Sequence, residues 1–179
     1  MLAPYAQSPL SEKSLVKDEF HQFTFEELYA NFFSTNDPAG AMARYAADSV
    51  FTDDASKTLH LLADHFRKAP SPSTHILTAY GLDLKPREDA CFSAVADQFV
   101  GCFSVWEDEK DDEQNYQWLI DAMPAMDKYA RGHYINEVES RFRPERYRAC
   151  FSVENWDRLQ QLRQKYDPNG VFHTYLGLG

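Results

Sequence analysis

The sequence predicts an α+β domain: an antiparallel sheet with helices packed on one face. Three observations predict it. Apolar residues recur at helical spacing in several segments, two stretches rich in aromatic and β-branched residues read as strands, and the two kinds of segment do not alternate as βαβ units. A chain of 179 residues is long enough for one domain with its own core. Residues 1–21 are polar and carry Pro4 and Pro9, so they are expected to form an arm. Residues 22–179 are expected to form a single domain, because no linker, repeat or low-complexity tract divides them.

The first helix should begin at Thr24. Thr24 and Glu27 have capping-box spacing, Phe23 can staple onto Leu28, and Phe25, Leu28, Tyr29 and Phe32 follow at helical spacing. Asn36-Asp37-Pro38 should end it and start a short second helix through Ala47. Ala55, Leu59, Leu62 and Phe66 then form one face of a helix that stops before Pro70. Thr74 to Leu84 reads as a strand, and Cys91 to Trp106 as a long one with Gly101 a candidate bulge. The polar run Lys85 to Asp89 should join them as a hairpin. Residues 114–130 read as a helix with Pro124 a kink, ended by Gly132. Tyr134 to Val138 reads as a short strand. Ser152 should cap a final helix whose buried face carries Trp156, Leu159, Leu162 and Tyr166, ended by Asp167-Pro168-Asn169-Gly170.

Composition narrows function. Eighteen basic against 28 acidic residues give a formal charge of −10, which repels phosphate backbones, so nucleic acid is not an expected partner. The seven glycines form no G-x-G-x-x-G or G-x-x-x-x-G-K cluster, so the sequence offers no self-contained phosphate cradle. No apolar run is long enough to cross a bilayer, and the first residues lack the basic start and apolar core of a secretory signal. Cys91, Cys102 and Cys150 are odd in number and without metal spacing, which suits reduced, buried thiols in a cytoplasmic protein. His60, Asp64 and His65 do not share one helix face, so no metal site is expected.

The last third holds an ordered set of motifs: Tyr134-x-Asn136, an aromatic-rich stretch, Asn155-Trp156-x-Arg158-Leu159, then Lys165-Tyr166-Asp167-Pro168-Asn169 and Phe172. This resembles the C-terminal substrate-domain segment of berberine-bridge-like FAD-linked oxidases, within the p-cresol methylhydroxylase and vanillyl-alcohol oxidase superfamily. The resemblance covers residues 130–176 and extends more loosely from residue 55. It implies that fold, and it implies that Tyr134 and Asn136 lie near a flavin ring and a substrate. It also implies a large FAD-wrapping domain, no part of which is in this sequence. The long strand carries Ala94, Val95 and Ala96 where the resembled enzymes often have a His-Arg pair. The chain is therefore expected to hold no cofactor by itself, with FAD present only if a partner chain supplies it.

Tyr134 and Asn136, two apart, should point to one side of a strand, giving a phenol acid/base and an amide that orients a ligand carbonyl. The bland alternative is a packed Tyr and an Asn that ties down a loop. Asp97, inside the expected long strand, would be either a raised-pKa acid in a cavity or the partner of an Arg. Tyr80, His133, His173 and Tyr175 are the substrate-binding candidates; His133 also reads as a structural histidine, and Glu137 as a solvated or paired surface acid.

Three functional readings stay open. The first is non-redox acid/base chemistry (cyclisation, isomerisation or dehydration) on a small hydrophobic biosynthetic intermediate. The second is the substrate-binding subunit of a split FAD-dependent oxidoreductase. The third is a non-catalytic ligand carrier or scaffold. A sheet face left open by a missing flavin domain invites either a homodimer or an FAD-domain partner subunit.

Overall fold

In the computed structural model four strands form one antiparallel sheet in the order β2-β3-β1-β4: β1 Arg44–Thr52, β2 His75–Tyr80, β3 Gln98–Trp106 and β4 Ala130–Gly132. Among the described residues four α-helices accompany them: α1 Phe25–Asn36, α2 Ala55–Phe66, α3 Asp112–Asp127 and α4 Val153–Tyr166. The structure describes residues 9–13, 22–36, 44–81, 85, 87, 90–93 and 95–172. Residues 1–42 and 43–179 form two separate units, and the sheet lies wholly in the second.

The first unit contains α1. Its entry is the reciprocal box the sequence predicts: the Thr24 amide donates to Glu27 Oε2 at 2.8 Å, and the Glu27 amide donates to Thr24 Oγ1 at 3.2 Å.

In the second unit, β1 is a correction. Its Ala-rich start reads as the expected short helix, yet Arg44–Thr52 is the strand between β3 and β4, buried from Ala46 onward. A strand covered on both faces loses the apolar alternation that would have marked it. One β1 face and its β3 partners (Ala46, Val50, Val100, Cys102, Trp106) pack on α2 and α3 through Leu62, Trp118, Leu119, Met123 and Met126. Asp54 caps α2 by accepting from the Lys57 amide at 3.0 Å, and Gln98 Oε1 accepts from the Ala55 amide at 2.7 Å. Burial of these apolar side chains is the main stabilising term of the fold.

Three more expectations change. The long strand begins at Gln98, not Cys91; the residues described between 90 and 97 are irregular and lie outside it. Gly101 is no bulge. Its register opposite Ser49 is regular, and a Cβ there would come within 2.8 Å of Phe103 Cε2 and 3.0 Å of Phe99 Cε1. The register shift lies instead between Phe51 and Thr52 against β4. Gly132 does not simply break a helix but ends β4, and Ile135–Glu137 is a 3-10 turn rather than a strand.

The final helix begins at the predicted cap, with Ser152 Oγ accepting from the Asn155 amide at 3.2 Å. Its expected buried face is not buried: α4 has no buried residue, and Leu162 and Tyr166 are exposed. Gly170, at φ +62°, ends the turn after α4, and the Asp167 carboxylate accepts from the amides of Val171 and Phe172. Of the three thiols Cys102 and Cys150 are buried, whereas Cys91 is exposed, against expectation. The expected hairpin connection and the strand end at Leu84 lie largely outside the described residues.

Candidate functional site

The sheet face opposite α2 and α3 is aromatic. Phe51 of β1 and Phe99 of β3 are register partners, and Phe92 and Ala96 of the preceding loop pack with them. Tyr134 enters this cluster edge-on, with ring centroids 6.3 Å from Phe51, 6.1 Å from Phe92 and 6.3 Å from Phe99. Farther along, Phe103 stacks on His75 at 5.1 Å, and Leu77 is half exposed beside Gly101. A side chain at Gly101 would push both flanking rings, so glycine keeps this part of the face low.

Tyr134 and Asn136 do come together, but through the 3-10 turn rather than strand parity. Asn136 Nδ2 donates to Tyr134 Oη at 2.9 Å, and the Glu137 amide donates to the Tyr134 carbonyl at 2.9 Å. The phenol hydrogen is left free to donate outward. Asn136 is exposed and Tyr134 half-buried, so the pair borders solvent with its ring end anchored in the phenylalanines.

The other sequence candidates separate. Asp97 is exposed at a bend just before β3, so it is neither a buried acid nor the core partner of an Arg. Tyr80 ends β2 half exposed. It alternates with Ala79, which packs in the aromatic cluster, and so lies on the opposite sheet face from Tyr134. His173 and Tyr175 lie outside the described residues.

His133 is buried behind the site. Its Nδ1 lies 2.9 Å from the Ser49 carbonyl, an acceptor, and 3.1 Å from Arg146 Nη2, a donor. Burial, then the neighbouring Arg146 guanidinium, hold its pKa below the ordinary histidine value.

This histidine belongs to a group that local sequence patterns do not reveal. Arg146 pairs with Asp48 of β1 and, at 2.6 Å, with Asp127 at the end of α3; Arg143 reaches Asp127 at 3.1 Å. Asp48 is fully buried and Arg146 is 3% exposed. Burial pushes the Asp48 carboxyl up to about 7 against the opposing pull of Arg146. The cluster ties the segment carrying Tyr134 to the central strand. The one available signal was Asp48 within an otherwise uncharged run, and its partner lies 98 residues away.

Residues 133–178 match the family described as berberine and berberine like. They form a berberine-like segment. It opens at His133 and includes the Tyr134–Asn136 turn and all of α4. The chain is 26% identical over 132 residues to the FAD-linked oxidoreductase nodO of Hypoxylon pulicicidum, covering 71% of this chain and 28% of that protein. It is 26% identical over 170 residues to the FAD-linked oxidoreductase aurO of Gibberella zeae, covering 90% of this chain and 32% of that protein. The crystal structure of CrmK, a flavoenzyme involved in shunt product recycling in caerulomycin biosynthesis, superposes with a TM-score of 0.61. That superposition has 18% identity and covers 74% of this chain and 32% of CrmK. The chain thus spans about a third or less of the length of these relatives.

Gly101 leaves the sheet face low between Phe99 and Phe103. A flavin's pyrophosphate needs converging backbone N–H donors, and the seven glycines of this sequence form no such loop. Among the described residues no helix is long and apolar enough to cross a membrane.

Proposed function

We propose that this chain supplies the substrate-binding face of an FAD-linked oxidoreductase whose nucleotide-binding residues lie outside this sequence, on a partner chain or a further domain. The observation that carries the reading is the Tyr134–Asn136 pair, anchored in the aromatic cluster and bordering solvent, in a segment matching the berberine-like family. When bound, the flavin would supply the electron acceptor. The work of this chain is to hold a small hydrophobic substrate on the uncovered part of this face, beside Leu77 and Phe103. Asn136 orients Tyr134, and Tyr134 exchanges a proton with the substrate's polar group. The test is affinity purification from the source cells. A yellow flavoprotein should copurify, and recombining the two separated proteins should restore substrate-dependent flavin reduction. Recovery of a colourless homodimer that reduces no flavin on addition of any FAD-domain chain would overturn the reading.

A second reading rests on the same pair. A phenol positioned by an amide is a complete acid/base device, so non-redox cyclisation, isomerisation or dehydration can proceed on this face alone. Turnover by the colourless protein, lost in Tyr134→Phe, supports that reading. Binding of an apolar ligand without turnover, unaffected by Tyr134→Phe, points instead to a carrier.

A further inference from the structure

Glu137 follows Asn136 in the 3-10 turn and is not the solvated surface acid its sequence position suggests. Its backbone is clamped: the carbonyl accepts from Ser49 Oγ at 3.0 Å, and the amide donates to the Tyr134 carbonyl. Its Oε2 is buried and has no hydrogen-bond partner. Burial alone raises its pKa, with no cation opposing the shift. A buried carboxylate oxygen without a partner is costly, and such groups are ordinarily satisfied. Glu137 lines a surface depression together with Tyr45, Ala47, Tyr116, Asn136 and Arg141. Arg141 lies over the Tyr116 ring at 4.8 Å, with its backbone amide bonded to Glu139, and forms no ion pair with Glu137. Tyr45 is mostly exposed and offers a ring as one wall.

We infer that this depression is a binding site for an aromatic ligand bearing a hydrogen-bond-donating group, an ammonium or a hydroxyl, which the outer carboxyl oxygen of Glu137, Oε1, accepts while Tyr45 packs on the ring. Asn136 lines the depression and also positions Tyr134, so the inference rests on the reading of that turn as a ligand site. It specifies what that site recognises: the polar end of a substrate whose apolar body extends over the sheet.

Three probes of one shape test it: 2-phenylethylamine, 2-phenylethanol and the acceptor-only methyl ether of 2-phenylethanol. Each is titrated into the full chain while the amide resonances of Tyr45, Ala47 and Asn136 are followed by NMR. The amine and the alcohol should produce saturable shifts, and the ether should bind about tenfold more weakly or worse. The two donors, compared with each other, distinguish an ammonium site from a hydroxyl site. Glu137→Gln should erase the preference for donors. A second readout needs no variant. The Glu137 carboxyl, followed by 13C NMR, should titrate above the ordinary glutamate range and fall when the preferred donor is added. Equal binding of the ether, no saturable shift with any probe, or a carboxyl that ignores the bound donor would overturn the inference. Tyr134→Phe keeps this comparison separate from the functional proposal. If donor selectivity fails while turnover still depends on Tyr134, the fault lies in the Glu137 assignment alone.

Discussion

The two faces of the sheet teach different lessons about the same strands. On the helix side, Val50, Val100 and Cys102 are fully buried against α2 and α3, and a buried ion cluster closes one end. On the other side, Phe51 and Phe99 are buried by a loop and a tyrosine, while Leu77 and Tyr45 stay open. The first face holds the fold, and the second is the one to which the proposed function assigns chemistry. Substitutions should therefore cost stability on one face and function on the other.

The largest stability effect should come from Arg146→Met. It leaves Asp48 buried and unpaired, and breaking a buried pair by removing one partner costs about 3–5 kcal/mol. Urea denaturation reads this directly; a loss below about 1 kcal/mol would show that the cluster does not anchor the fold. Next, Leu62→Ala should cost about 2–5 kcal/mol, whereas Leu162→Ala on the open face of α4 should cost under about 0.5 kcal/mol. Equal costs would erase the contrast between covered and uncovered helices. Gly101→Val sits between the extremes: its side chain must displace the rings of Phe99 and Phe103, at about 1–3 kcal/mol, while raising the low part of the aromatic face. Ligand affinity should fall more than stability does.

The pH dependence sharpens the comparison. The folded pKa of Asp48 is raised to about 7 from an unfolded value near 3.8, so the folded state binds the extra proton. Its contribution is fully present below about pH 4 and is lost as pH rises through about 7. His133 is lowered, so its contribution has the opposite sign and is lost as pH falls below its unfolded value near 6.5. Melting temperatures of Asp48→Asn between pH 4 and 8 should keep only the rising, histidine part. A wild-type profile identical to that of the variant would show that Asp48 does not titrate in this window. Tyr134→Phe should also cost little stability, under about 1 kcal/mol, because the aromatic packing survives the loss of one exposed hydrogen bond. Its effect on turnover should be about 10²–10⁴-fold, as for loss of a positioned acid/base. Unchanged turnover would leave the open face without its proposed acid.

The sequence by itself determined what depends on near neighbours. Thr24 with Glu27 and Ser152 with Asn155 mark helix starts because a cap bonds an amide two or three residues on. The berberine-like motifs were legible because they are contiguous and ordered, as was the Tyr134–Asn136 pairing, although the turn that makes it was read as a strand. Only the tertiary structure decided the rest. β1 looked helical because a strand buried on both faces shows no period, and α4 looked buried because an apolar stripe does not say whether anything covers it. Asp97 was expected inside a strand that begins one residue after it. Asp48 and Arg146, 98 residues apart, meet through chain topology, and Glu137 Oε2 loses its solvent the same way. Burial and long-range pairing are properties of the folded surface, and local spacing carries no term for either.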